Sequence, residues 1–123
     1  MLNFLLDEHI SPHVAEGLRR RSRRILVWGL AEWEKGRLLG LSDTLLMQTA
    51  AAHRLTLVTY DRRTIPPLLK VWAEEFRDHG GVVFIDDKTI PASDFGGLIR
   101  ALRVLWVETH QWDWTNRICV LRG

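Results

Sequence analysis

Apolar runs of strand length alternate with helix-length amphipathic segments along this chain, and nothing else in it limits the fold as tightly. "LNFLL" (2–6), "RILVW" (24–28), "LTLVT" (55–59), "GVVFI" (81–85) and "RICVL" (117–121) each read as a short strand. Their residues are apolar throughout rather than every second one, as burial on both faces requires. Between them lie four helical patterns. Ser11 and Pro12 supply an N-cap and a first-turn proline for a helix over 11–22. Ser42, followed by Asp43, opens one over 42–53. "TIPPLLKVWAEEFRDHG" (64–80) puts Leu68, Leu69, Trp72, Ala73 and Phe76 on one face and stops at Gly80. Over 93–110, Phe95, Leu98, Ile99, Leu102, Leu105 and Trp106 recur at helical spacing. The irregular stretch 29–41 has room for a short helical turn. Five strands alternating with four helices predict a three-layer α/β/α sandwich around a mainly parallel five-stranded sheet.

The 123 residues, 46% of them hydrophobic, fit one domain over 1–123, able to bury roughly two-thirds of its unfolded surface. A charged fraction of 26% excludes global disorder, and a net charge of +2 permits a nucleic-acid partner without demanding one. Cys119 is the only cysteine, so no internal disulfide can form. The amino terminus lacks a basic leader, and no apolar stretch nears the ~20 residues that span a bilayer. The expectation is a soluble cytoplasmic protein, complete from its initiating methionine, with no membrane role.

In an open parallel sheet the ligand site lies beyond the carboxyl ends of the strands, near the reversal of strand order. Acids distant in sequence collect on that edge here. Asp7 and Glu8 follow the first strand, Asp61 the third and Asp86-Asp87 the fourth, while Asp43 begins the second helix. Clustered carboxylates raise one another's pKa unless a cation sits among them, and all-oxygen donor sets suit Mg²⁺ or Mn²⁺. Such ions activate water and support in-line attack on a phosphodiester. Each acid also has a plain reading. Asp43 complements a helix dipole, Asp61 is an ordinary turn residue, and Asp86 and Asp87 are solvated in a loop. Asp7, directly behind "NFLL", is the hardest to explain as ornament.

Three stretches, "FLLDEHISPHVAEGLRRR", "LSDTLLMQTAAAH" and "LTLVTYDRR", resemble the short single-domain PIN-like proteins, relatives of the ribonuclease toxins of bacterial toxin–antitoxin pairs. The family pattern is a strand ending Leu-Asp-Glu, a Ser-Asp opening a helix, and a strand ending Thr-x-Asp. The likeness covers residues 1 to about 70; beyond that only the strand–helix order supports it. It implies a PIN-like fold, Asp7, Asp43 and Asp61 as catalytic and metal-binding residues, Mg²⁺ or Mn²⁺ as cofactor, and RNA as substrate. It also implies a cognate antitoxin as partner and pairing into a homodimer. The family commonly has a second acid two residues after the Thr-x-Asp, where this chain has Arg63. Glu8 or Asp86 would then supply the missing carboxylate, with Arg62 and Arg63 on a substrate phosphate.

Arg19, Arg20, Arg21, Arg23 and Arg24 fill all but one position of 19–24. They form a candidate nucleic-acid contact, or equally a solvated helix end favoured by its dipole. His9 and His13 read as loop and first-turn residues, and His53 as a helix C-terminal dipole partner. Trp72 and Trp106 read as core. Trp112 and Trp114 read as a cap over one sheet edge, and Gly96-Gly97 as close helix–sheet packing. A noncatalytic module of the same fold, holding RNA or a protein through its arginines, is the alternative to the nuclease. A phosphoacceptor domain shares the layout but needs a Thr or Ser after the fourth strand and a Lys after the fifth, and this chain has neither. No serine elbow, phosphate-binding glycine loop or zinc finger is present.

Overall fold

A computed structural model describes residues 1–36, 39–40 and 42–123. The strands are β1 (Phe4–Leu6), β2 (Val27–Gly29), β3 (Thr56–Thr59), β4 (Val82–Ile85) and β5 (Ile118–Leu121). The helices are α1 (Pro12–Arg21), α2 (Asp43–Ala52), α3 (Ile65–Glu74) and α4 (Phe95–Thr109), with a 3₁₀ turn at Trp33–Gly36. Positions 37, 38 and 41 of the predicted segment 29–41 lie outside the described residues. The sheet runs β2-β1-β3-β4-β5 with every adjacent pair parallel. Its order therefore reverses between β1 and β3.

Alternate side chains of the strands feed two cores, which makes the three layers. Phe4, Leu6, Val58, Val83 and Ile85 pack with Val14, Leu18, Leu98, Leu102 and Trp106 of α1 and α4. Leu5, Leu57, Val82 and Phe84 pack with Leu46, Met47, Leu69 and Trp72 of α2 and α3. Gly17 lets α1 and α4 touch, because a Cβ there would lie 2.2 Å from Ile99 Cδ1. Among the described residues no helix is long and apolar enough to cross a membrane.

Several local expectations are corrected. β2 begins at Val27 rather than Arg24, because its only partner, β1, is three residues long. α3 stops at Glu74, not Gly80. Phe76 takes φ 57°, and the Phe76 and Arg77 amides bond the carbonyls of Ala73 and Trp72. That is a left-handed helix stop with phenylalanine in the usual glycine position. It turns Phe76 out to 94% exposure, so it is not a core residue. Phe95 is also exposed, and β5, at the sheet edge, buries neither Ile118 nor Val120. Gly97 serves the α4 cap rather than helix–sheet packing: a Cβ would meet the Asp94 carboxylate at 2.3 Å, which accepts the Gly97 amide.

The amino edge of the sheet is sealed by Trp114, buried with its indole N–H on the Thr109 carbonyl, while Trp112 stays half-exposed. His79 is buried at the same edge, and its Nδ1 accepts the Gly81 amide. Burial holds its pKa below the ordinary histidine value of 6.5, against a smaller opposing pull from Asp78. The unfolded chain therefore binds this proton first as pH falls. The stability that neutral His79 contributes is complete above about pH 6.5 and drains away below it. Urea melts of wild type and His79→Asn from pH 7.5 to 5 should show a shallower decline for the variant. Parallel declines would contradict this.

Candidate functional site

Each of the three predicted acids is set by local chemistry at the carboxyl edge. Asp7 directly follows β1, and its Oδ1 accepts the Glu8 amide at 2.8 Å. Asp43 is the first residue of α2, behind the Ser42 cap whose Oγ takes the Leu45 amide. Asp61 lies two residues past β3, and its Oδ1 accepts the amides of Arg63 at 2.8 Å and Thr64 at 2.9 Å. That turn folds the chain from β3 into α3 and leaves the other carboxylate oxygen against the Thr64 hydroxyl.

Two threonines connect the acids. Thr59 Oγ1 donates to Asp7 Oδ2 at 2.7 Å and accepts the Asp61 amide at 3.0 Å. Thr64 Oγ1 lies 2.6 Å from Asp43 Oδ2 and also touches Asp61 Oδ2. Asp7, Asp61 and Asp43 thus form one hydrogen-bonded chain across β1, β3 and the start of α2, where the strand order reverses. Asp7 is buried, and the other two are half-exposed. Among the described residues none of the three has an ion-pair partner. Burial pushes the Asp61 carboxyl up, but the Thr64 hydroxyl, the Thr64 and Arg63 amides and nearby His9 together hold it below the usual carboxylate range.

Beside Asp61 opens a cleft of about 960 Å³ between the loops after β1, β3 and β4, lined by His9, Tyr60, Arg63, Thr64, Asp87 and Pro91, among others. The Tyr60 hydroxyl donates to the Ile90 carbonyl, which fixes one wall. Burial, then Asp87 and Asp94, raise its pKa to about 12, so it stays protonated. Arg62 and Arg63 are exposed, and Arg63 reaches the cleft.

Other predicted members stand apart. The Glu8 side chain is exposed and makes no described contact with the acids. Asp86 is engaged by the Lys88 amide and by Arg122 at 3.6 Å, so it braces the loop after β4. The arginine run lies at the opposite edge of the sheet, since α1 carries the chain about 15 Å back from the carboxyl edge. Arg19 grips Glu32 with both terminal guanidinium nitrogens, at 2.7 and 2.8 Å, and also bonds the Val27 carbonyl. It therefore seals the free edge of β2. Arg21 folds back onto the Gly17 carbonyl, and Arg24 lies over the Trp106 ring. Arg20 and Arg23 are exposed.

The donor set is all oxygen and hard, which fits Mg²⁺ or Mn²⁺. One hydroxyl serves both Asp43 and Asp61 but carries only one proton, so the two carboxylates share a single donor there. That also fits a cation. Among the described residues no three His, Cys, Asp or Glu side chains gather closely enough to hold a metal ion by themselves. Asp43 and Asp61 are the pair that would hold an ion, with Asp7 behind them. Thr59 and Thr64 were invisible as site residues in the sequence, apart from Thr59's place in the Thr-x-Asp motif. Compared with family models, curated proteins and solved structures, the chain matches none of them.

Proposed function

We propose that this protein is a Mg²⁺- or Mn²⁺-dependent endoribonuclease of PIN-like type, acting as the toxin of a toxin–antitoxin pair. The observation that carries this reading is the convergence of Asp7, Asp43 and Asp61 at the reversal of strand order, beside an open cleft that Arg63 helps to line. A bound ion would lower the pKa of a water and offset charge developing on the phosphodiester. The chain's own residues supply the rest. Asp43 and Asp61 fix where that charge is needed, and two backbone amides keep Asp61 ionised and oriented. Arg62 and Arg63 can bind the phosphate from the open side, and Tyr60 lines the cleft beside them. Water then attacks phosphorus, and the bond to the leaving ribose oxygen breaks.

Incubation of purified protein with a mixed RNA pool in Mn²⁺, Mg²⁺ or EDTA tests the reading. Cleavage in either metal that stops in EDTA is expected. Intact RNA under all three conditions would overturn it, and salt-sensitive RNA retention by that same sample would favour the noncatalytic module.

A further inference from the structure

We infer that Thr64 is a positioning residue of this site: its hydroxyl holds the Asp43 and Asp61 carboxylates in the spacing that receives a divalent ion. The inference rests on the metal-site reading above and adds a residue to it. Thr64 occupies the N-cap position of α3, where a threonine hydroxyl ordinarily takes an amide of the first turn. The caps of the other three helices do so: Ser11 accepts the His13 amide, Ser42 that of Leu45 and Asp94 that of Gly97. Thr64 makes no such bond, and its backbone is already helical, at φ −100° and ψ −32°. Its hydroxyl is turned instead to Asp43 Oδ2 and Asp61 Oδ2.

The consequence is geometric. Asp43 sits on α2 and Asp61 on the turn after β3, 18 residues apart in sequence, and the only described side chain bonded to both is Thr64. Without it no described side chain links the two carboxylates, and nothing sets their spacing directly. Groups that orient metal ligands typically govern affinity by about 10- to 100-fold.

Mn²⁺ titrated alone by calorimetry into wild type, Thr64→Val, Thr64→Ala and Thr64→Ser reads this directly, with thermal midpoints of the metal-free proteins as control. Thr64 is exposed, so these variants should fold. Expected is Mn²⁺ binding weakened about 10- to 100-fold in both Val and Ala variants, and near wild type in Ser. Unchanged binding in Val and Ala would overturn the inference and leave the metal site standing, even if their thermal midpoints fell. Weakening in Ser equal to that in Val would also overturn it, since the hydroxyl would then not be the active group. No Mn²⁺ binding by wild type would instead remove the metal site itself, and the inference with it.

Discussion

Asp61→Asn should abolish metal-dependent RNA cleavage, with a loss of at least about a hundredfold, while the protein stays folded. The size follows from what the substitution removes. Loss of a group that merely orients a metal ligand costs about 10- to 100-fold, and on the proposed reading the charged ligand itself is lost here. The fold should survive because an asparagine carbonyl can still accept the Arg63 and Thr64 amides that bond Asp61 Oδ1. What changes is the second oxygen, where an amide N–H₂ would meet the Thr64 hydroxyl. The variant should differ from wild type in acid as well. Asp61 titrates lower in the folded chain than in the unfolded one, so its contribution to stability is present above about pH 3.9 and is lost as pH falls through the folded value. Asp61→Asn has no such contribution to lose. Cleavage rates in Mn²⁺ together with unfolding curves at pH 7 and pH 3 measure both effects. Wild-type cleavage by the variant would show that Asp61 is not part of the reaction.

The alternation of apolar runs was enough to read the sheet and its helices, since strands buried on both faces have few other ways to look. It was enough to place Asp7, Asp43 and Asp61 on one edge, because in a parallel sheet every strand end and every following helix start falls there. It could not show how they connect. Thr59 reads as a β-branched strand residue and Thr64 as a helix cap, yet the hydroxyl of each goes to the acids. Local deviations had similar causes. Gly80 looked like the stop of α3, yet the left-handed residue is Phe76, and Gly80 is needed because a Cβ would lie 2.5 Å from the Leu55 carbonyl oxygen. Arg19 looked like one of a set of free cations. Only the path of the chain past β2 reveals that Glu32 returns to meet it.

Trp106→Ala should be the most destabilising change outside the site, costing about 3–5 kcal/mol. The side chain is buried, packs within the α1–α4 core, and its indole N–H donates to the Leu2 carbonyl at 3.1 Å. The His110 ring stacks on it at 4.1 Å between centroids. Truncation removes the packing, leaves a cavity beneath β1, and strips the Leu2 carbonyl of its donor. Trp106→Phe separates these contributions. It keeps most of the ring surface and loses the hydrogen bond, so about 1–3 kcal/mol is expected. A domain of this size has about 5–15 kcal/mol of stability in all. Trp106→Ala should therefore unfold at much lower urea, and Trp106→Phe should lie between it and wild type. The effect should also reach the site, because Leu2 precedes β1 and β1 carries Asp7. At a urea concentration where Trp106→Phe is still fully folded, its Mn²⁺ affinity should fall only slightly, since Thr59 continues to hold Asp7 from the β3 side. Equal stability of the alanine and phenylalanine variants would show that the hydrogen bond, and not the buried ring, anchors α4 to the start of the sheet.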